Sequence, residues 1–283
     1  MPMRYKSINA TLLVIAILLS NALFAAEAAP LACSDPIVTD TKLKADLTCA
    51  PDVDGLFINA HGVTVNLNGF TITGSGVSSG VFNVGFADVT IKNGTITGFQ
   101  DGVRADGVAD IDIKDLMLSN QSASSIVIVN SENVKIKRVF ISQPSFGGDN
   151  PATEAIRLAN VHDAKVKDVI VDGGYFGVLS LGDPNLGDPG TATELVVKNS
   201  VFTNTTHGIF LERTTDSKIV GNQVHDNSGI GIGLVNGSIG NKIRLNVVTG
   251  NGEDDMFHDE GSSPNKWINN TCGKSGGADI DCP

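Results

Sequence analysis

The sequence predicts an all-β fold, a single-domain right-handed parallel β-helix of about nine coils with disulfide-linked ends. Two observations lead to this prediction. Apolar residues recur at steps of 22 to 31 residues, and two short strands repeat within each step. The composition agrees, since charged residues are 18%, aromatic residues are 5% and 32 of the 283 residues are Gly. This mixture is too apolar for a disordered chain and too rich in turn formers for a helical one.

Residues 1–28 are predicted to be a signal peptide. Arg4 and Lys6 precede an apolar run at residues 11–19, and small residues follow at Ala25, Ala26, Ala28 and Ala29, as a cleavage site requires. The run is too short for a comfortable membrane span, so no span is expected in the mature protein. We therefore expect a secreted or periplasmic protein, in which disulfides can form.

All four cysteines follow the signal peptide, with Cys33 and Cys49 near its end and Cys272 and Cys282 near the C-terminus. Four cysteines allow three pairings. A long stack of coils would separate its two ends by tens of ångströms, whereas a disulfide needs Cα atoms within about 7 Å, so only local pairs are expected. Metal binding is the rival interpretation, but no CxxC motif supports it. Residues 29–54 are predicted to form an N-terminal cap, and residues 55–283 the β-helix with its C-terminal cap.

The first repeated strand carries one apolar residue at a constant phase. These residues are Ile91, Ile113, Ile136, Val166, Val197, Ile219, Ile243 and Ile268. The second strand recurs between them, at residues 102–106, 125–129, 155–159, 177–181, 208–212, 231–235 and 255–259. Because one coil cannot bury its own inner face, the coils must stack about 4.8 Å apart and pair each strand with the next. Gly and Asn at the corners are expected to supply positive-φ turns.

The segment Gly62–Gly74 (GVTVNLNGFTITG), followed by repeated I-K-N and G-I-x-L coils, resembles the right-handed parallel β-helix repeat proteins of the pectin-lyase-like superfamily. The resemblance covers nearly the whole mature chain and implies the fold. It does not imply one activity, because the superfamily includes polysaccharide lyases, hydrolases, uronate epimerases and members without assigned chemistry. The paired-Asp and Gly-His-Gly set of polygalacturonases is absent. The Asp-Pro-His stretch of alginate epimerases has its nearest counterpart at Asp255–Glu260, which lacks the Pro.

Two insertions account for the longest steps, at Gln143–Thr153 and Gly182–Ala192. Both are rich in Gly, Pro and Asp, so we expect surface loops that form two walls of a groove. The outward floor positions between them are unexpectedly apolar, at Val127, Val129, Leu179, Leu181 and Phe210. Either the loops cover this floor, or it binds a ligand such as a sugar ring. The candidate substrate-binding residues are Arg157, Leu179, Phe210 and Arg213.

The candidate catalytic residues are His207, Glu212, His258 and Asp259. His207 and Glu212 are five residues apart on one predicted strand, about 16 Å, which is too far for one proton-transfer site. Whether the protein is an enzyme is left open; if it is one, a polysaccharide lyase, epimerase or hydrolase is expected. No cofactor is predicted. Ca²⁺ is the alternative, because the last coil supplies hard carboxylate ligands at Glu253, Asp254, Asp255, Asp259 and Glu260.

Lysines form two outward columns on the first repeated strand. One contains Lys92, Lys114, Lys137, Lys167 and Lys198, and its neighbour contains Lys135, Lys165, Lys218 and Lys242. The net charge of −11 argues against nucleic acid as a partner. On so acidic a protein the columns suggest a track for an acidic polysaccharide; the alternative is a solvated face neutralised by nearby aspartates.

These observations lead to one functional expectation and one alternative. We expect a secreted monomer that binds an acidic extracellular polysaccharide, with lyase-like or epimerase-like processing as an extension of that role. The alternative is a non-catalytic structural or surface-interaction protein whose β-helix is a stable scaffold.

Overall fold

A computed structural model of the chain describes residues 31–143, 153–186, 191–277, 279–280 and 282. These residues form a β-solenoid of about nine turns with essentially no helix, which confirms the predicted fold. Each coil contributes to three parallel sheets, and strands of successive coils pair in register.

The three sheets are numbered in the order in which each coil visits them. Sheet 1 contains β1 (Pro36–Ile37), β4 (Leu56–Ile58), β7 (Ser79–Val84), β9 (Asp101–Asp106), the first parts of β11 (Ser124–Ser142) and β12 (Glu154–Lys167), β14 (Phe176–Leu181), β18 (His207–Glu212), β22 (Ile232–Val235), β25 (Met256–His258) and β28 (Ser275–Gly276). Sheet 2 contains β2 (Thr41–Lys42), β5 (Thr64–Asn66), the first parts of β8 (Val89–Thr97) and β10 (Ile111–Ser119), later parts of β11 and β12, β16 (Val196–Lys198), β20 (Lys218–Val220), β23 (Lys242–Arg244) and β26 (Lys266–Ile268).

Sheet 3 contains β3 (Leu47–Thr48), β6 (Thr71–Thr73), the ends of β8, β10 and β11, β13 (Ile170–Asp172), β17 (Val201–Thr203), β21 (Gln223–His225), β24 (Val247–Thr249) and β27 (Thr271–Cys272). Two short strands, β15 (Ala192–Thr193) and β19 (Thr214–Thr215), pair at the corner between sheets 1 and 2. One 3₁₀ turn spans Pro184–Leu186.

The core is a set of aliphatic ladders that point into the solenoid. The column predicted for sheet 2 is in register and fully buried, at 0% exposure for Ile91, Ile113, Ile136, Val166, Val197, Ile219 and Ile243. The prediction for Ile268 is wrong. Trp267 pairs with Ile243 instead, and Ile268 lies outward at 37% exposure. A change of one residue in the register of this last strand reverses the face that each side chain occupies.

The corners between sheets combine positive-φ residues with buried amide ladders. At the corner before sheet 2, positive φ recurs at Asp88, Asp110, Asn133, Asp163, Glu194, Asp216 and Gly240, so Asp supplements the expected Gly and Asn. Between sheets 2 and 3, Asn222 Nδ2 donates to Asn246 Oδ1 at 3.0 Å, and Asn246 Nδ2 donates to Asn270 Oδ1 at 3.0 Å. These buried amides therefore satisfy one another from coil to coil.

Both predicted disulfides are present near the ends of the described chain. Cys33 pairs with Cys49 across a Cα–Cα distance of 5.6 Å, and Cys272 pairs with Cys282 across 5.0 Å. The proposed signal peptide, residues 1–28, lies outside the described residues. Within the described part of the chain, no helix is long and apolar enough to cross a membrane.

Candidate functional site

The outward side of sheet 1 carries the candidate binding residues. Strand pairing confirms the column predicted from alternation, which runs Arg104, Val127, Arg157, Leu179, Phe210, Gly233 and Phe257. Residues 144–152 of the first predicted wall and residues 187–190 of the second lie outside the described residues.

The aliphatic part of this floor is buried. Val127 is 5% exposed, Val129 is 8% exposed and Leu179 is 6% exposed, and Leu181 packs against the two valines. Strand pairing places Arg157 between Val127 and Leu179, where its aliphatic stem can lie over both neighbours. Leu179 therefore offers a ligand almost no surface, and the usable part of the floor lies on either side of it.

An aromatic cluster lies beside Leu179, in the same coil and the next one. It consists of Tyr175, Phe176, His207 and Phe210, all of them only partly buried. The ring centroids of Phe176, His207 and Phe210 are each 5.3 Å from the other two, and Tyr175 lies 4.8 Å from Phe176. Such spacings are those of favourable aromatic pairs, so the rings support one another in a fixed arrangement.

Two glycines make room for these rings. A Cβ atom on Gly229 would lie 2.8 Å from His207 Cε1, and a Cβ atom on Gly233 would lie 2.6 Å from Phe210 Cε2. The imidazole and the phenyl ring therefore lie close over the backbone of the next coil. Both rings remain only partly buried.

His207 is held as a neutral ring. The backbone N–H of Ile230 donates to His207 Nδ1 at 3.1 Å, so Nδ1 is unprotonated and the ring proton lies on Nε2. Burial lowers the pKa of His207, and the charge of Glu253 opposes this shift. A neutral imidazole stacked on Phe176 at an interplanar angle of 27° extends the apolar platform and offers one N–H donor.

An arginine cluster lies on the N-terminal side of Leu179. Arg104 Nη1 donates to Asp101 at 3.1 Å, and Arg157 Nη1 donates to Glu154 at 3.0 Å. Ser124 lies between the two carboxylates in the strand ladder, and its hydroxyl donates to Glu154 Oε2 at 3.1 Å. The same ladder continues into the aromatic cluster through Phe176 and His207.

The two guanidinium groups are held in place by their own carboxylates and keep further N–H donors. Burial raises the pKa of the Asp101 carboxyl, and the hydrogen bond and charge of Arg104 oppose this shift. The side chains of Arg104 and Arg157 remain 41% and 32% exposed. A guanidinium has five N–H donors, so each arginine keeps donors for an external carboxylate or hydroxyl while its own carboxylate orients it.

Glu212 and Arg213, two further candidates, lie at the end of β18 away from both clusters. Glu212 lies at the opposite end of β18 from His207, where Asn236 Nδ2 donates to its Oε1 at 3.0 Å. Arg213 donates to Glu212 at 3.2 Å and to the carbonyl of Gly182 at 3.3 Å. These groups stabilise the corner that follows β18 and do not join the aromatic or arginine cluster.

His258 and Asp259, the remaining catalytic candidates, make contacts that hold the last coil together. His258 is 6% exposed and stacks on Trp267 with a centroid distance of 6.1 Å. Asp259 accepts the N–H of Asn236 at 2.7 Å. Burial opposes the ionised form of Asp259, but hydrogen bonds from Ser262, Asn236 and Gly261 outweigh it and lower its pKa.

The acidic residues of this coil also have structural partners. Asp255, 4% exposed, accepts the N–H groups of Gly273 at 2.7 Å and Lys274 at 3.1 Å. Asp254 lies 3.7 Å from the Lys274 ammonium, while Glu253 and Glu260 are exposed. Across the described residues, no group of three or more His, Cys, Asp or Glu side chains could hold a metal ion.

Sequence reasoning missed five residues of the two clusters, namely Asp101, Ser124, Glu154, Tyr175 and Phe176. One signal was available. The segments Asp101–Arg104 (DGVR) and Glu154–Arg157 (EAIR) repeat an acid and an Arg three residues apart, at the same phase in two coils.

Comparisons with known proteins find one sequence family and several solved structures. The sequence profile of the family described as "Periplasmic copper-binding protein (NosD)" matches residues 61–275. A polygalacturonase from Erwinia carotovora ssp. carotovora is 9% identical, with a TM-score of 0.47, over 90% of this chain and 98% of that one. The A-module of a mannuronan C-5 epimerase from Azotobacter vinelandii is 12% identical, with a TM-score of 0.36, over 88% and 87%. No curated protein sequence matches the chain.

The family description raises the question of a copper ion. Copper in proteins is bound by imidazole, thiolate and thioether groups brought together in one site. Here all four cysteines are in disulfides. The five histidines lie apart, among different partners, at His61, His162, His207, His225 and His258. Across the residues that the structure describes, the His and Cys side chains therefore do not come together in a group that would fit a resident copper ion.

Proposed function

We propose that this chain, which belongs to the family described as periplasmic copper-binding proteins (NosD), binds an acidic polysaccharide outside the cytoplasm, on the outward side of sheet 1. The observation that carries the proposal is the aromatic cluster, three partly exposed rings each 5.3 Å from the other two, with the arginine cluster in the adjoining coils.

The aromatic cluster has the chemistry of a sugar platform. Pyranose rings present apolar C–H faces, and these pack on aromatic faces as other apolar groups do. Phe210 supplies one ring of this cluster, and Phe176 and His207 add two more, inclined to it by 47° and 44°. The Nε2–H group of the neutral His207 adds a donor for a hydroxyl group at the edge of the platform.

The arginine cluster supplies recognition of charge. In the strand ladder, Arg157 and Phe210 lie two coils apart, about 10 Å, on the same outward column. A glycan that runs across the strands can therefore stack one unit on Phe210 and present a carboxylate to Arg157. Arg104 lies two coils further along the same column and can meet a later unit.

The proposal is binding and does not include turnover. Each carboxylate of the arginine cluster is engaged by its own arginine, and His207 and Glu212 lie at opposite ends of β18. Processing of the glycan would need a proton-transfer pair within hydrogen-bond reach of one bond of the substrate. The described residues of this face do not assemble such a pair.

Calorimetric titration of the purified protein with polygalacturonate and alginate tests the proposal. Phe210→Ala removes the platform and Arg157→Ala removes a carboxylate partner, so each should weaken binding by about two- to tenfold without unfolding the protein. Matched controls are available. Phe140 is an outward aromatic on sheet 3, 37% exposed, and Arg138 is paired with Asp115 at 2.6 Å away from sheet 1.

Phe140→Ala and Arg138→Ala should leave the affinity unchanged. Unaltered affinity in both sheet 1 variants would refute the proposal, and so would equal losses in the variants and their controls.

A further inference from the structure

Sheet 2 carries two columns of basic side chains on its outward side, which together are named the lysine face. The first column runs Lys42, Asn66, Lys92, Lys114, Lys137, Lys167, Lys198, Val220 and Arg244. The second runs Thr64, Thr90, Asp112, Lys135, Lys165, Val196, Lys218, Lys242 and Lys266. Strand pairing thus confirms both columns expected from the sequence.

The charge of this face is opposite to that of the protein. The two columns hold twelve Lys and Arg and one acidic residue, Asp112, on a chain whose net charge is −11. Five consecutive coils place a lysine at the same position, so the three inner lysines of this run, Lys114, Lys137 and Lys167, each have a like-charged neighbour about 4.8 Å away on either side. Like charges directly opposite one another destabilise a sheet.

Aspartates neutralise only part of the lysine face. Lys114 and Lys137 share Asp112, while Lys165 pairs with Asp163 at 2.8 Å and Lys167 with Asp168 at 3.3 Å. Among the described residues, the other eight basic residues have no ion pair. They are Lys42, Lys92, Lys135, Lys198, Lys218, Lys242, Arg244 and Lys266.

We propose that the lysine face is a second binding site, which takes an extended polyanionic polysaccharide running across the strands of sheet 2. The site is independent of the function proposed for sheet 1. Repeated negative charges on an extended chain match a ladder of positive charges that repeats once per coil, and they relieve the repulsion between neighbouring lysines.

The face is concave at the start of the first column. A hollow of about 250 Å³ lies there, lined by Asp40, Thr41, Lys42, Thr64, Asn66 and Lys92. The Asp40 carboxylate accepts a hydrogen bond from the backbone N–H of Thr64 at 2.7 Å. Lys42 and Lys92 outnumber this carboxylate and give the hollow a net positive charge, and Thr64, in the outward second column, supplies a hydroxyl group that can meet one of a sugar.

The chemistry of the columns favours a polysaccharide over other polyanions. Binding of single-stranded nucleic acid relies on aromatic side chains that stack on bases, and the two columns contain no aromatic residue. Binding to an anionic lipid surface is strengthened by large apolar groups that enter the membrane, and among the coils from Lys42 to Arg244 the columns offer only Val196 and Val220.

Three double variants with the same change of net charge test the proposal. Lys42→Gln/Lys92→Gln removes the two cations of the hollow, and Lys198→Gln/Lys218→Gln removes two cations further along the face. Lys44→Gln/Lys274→Gln is the control, because both lysines are exposed and lie outside the two columns. All three are compared in the Arg157→Ala/Phe210→Ala background, which removes both proposed contacts of sheet 1. The ligands are polygalacturonate, neutral dextran, a DNA oligonucleotide and vesicles of one part anionic to two parts zwitterionic phospholipid.

We expect polygalacturonate to bind and dextran not to bind. Each lysine-face variant should weaken polygalacturonate binding by about two- to twentyfold, from two exposed charge contacts, while the control changes little. Raising NaCl from about 50 mM to about 300 mM should weaken binding by the unsubstituted face more than by the variants. Equal losses in all three variants, tighter binding of the vesicles or the oligonucleotide, or full loss of polygalacturonate binding in the Arg157→Ala/Phe210→Ala background alone would overturn the proposal. The last result would leave the function proposed for sheet 1 intact.

Discussion

Separate substitutions of Ile136 and Lys137, two adjacent residues of β11, compare how much the inner and outer sides of sheet 2 contribute to stability. Ile136 is 0% exposed and pairs in register with Ile113 and Val166. Ile136→Ala should destabilise the protein by about 3–5 kcal/mol, the upper part of the usual range, because coils on both sides hold the backbone and prevent collapse of the cavity. Ile136→Asp should prevent folding, because the core offers no partner to a buried carboxylate.

Lys137→Ala should cost less than about 1 kcal/mol. Its side chain is 33% exposed and its ion pair with Asp112 spans 3.3 Å at the surface. The substitution also removes a like-charged neighbour of Lys114 and Lys167, which offsets the loss.

Urea unfolding followed by far-UV circular dichroism measures both changes. With a dependence of roughly 3 kcal/mol per M for a chain of this size, Ile136→Ala should lower the midpoint by about 1 M or more, and Lys137→Ala by less than about 0.3 M. A larger shift for Lys137→Ala would show that the inward and outward phases of sheet 2 are reversed, and with them the lysine face.

Three further predictions concern the site and the register. Burial lowers the pKa of His207, so the unfolded chain binds a proton at pH values where the folded one does not. The melting temperature should therefore fall as the pH is lowered through about 6.5, and His207→Gln should make the melting temperature less dependent on pH in this range. Gly233→Ala places a Cβ atom 2.6 Å from Phe210 Cε2, so calorimetry should show a loss of polygalacturonate affinity close to that of Phe210→Ala. Trp267→Ala should lower the melting temperature more than Ile268→Ala, because only Trp267 is in register with the core residue Ile243. A larger decrease for Ile268→Ala would instead support the alignment predicted from the sequence, which places Ile268 in the core.

Most of the fold could be predicted from the sequence because inner and outer positions alternate in every central coil. Each inner residue between Ile91 and Ile243 lies between two paired coils, so a wrong register would bury a polar residue and expose an aliphatic one. The alignment failed at Ile268, in β26, after which the described residues add no further strand to sheet 2. Alternation alone gave no reason to prefer Trp267.

Sequence reasoning found only some of the site residues, because the alternation of inward and outward positions is interrupted at the start of the sheet 1 strands. Counting alternation backwards from Arg104 assigns Asp101 to the inner side. Gly102 and Val103 are both buried, however, and a Cβ atom on Gly102 would lie 2.5 Å from the carbonyl oxygen of Ser125. The strict alternation is therefore interrupted there, and Asp101 reaches Arg104 on the outer side. The same interruption hid Glu154 and Phe176, which share the ladder of Asp101.

The arrangement of the solenoid explains how a column of like charges can persist on it. Stability comes from stacked inner residues such as Ile136, which contribute in every coil whatever the outer residue is. Repulsion between exposed lysines is weakened by water and salt and costs little per coil. The aspartates in and beside sheet 2 offset it only in part, since four basic residues of the lysine face are paired and eight are not. A face that only needed to be soluble would gain stability from mixed charges, so the excess of positive charge is best explained by a ligand that supplies the negative ones.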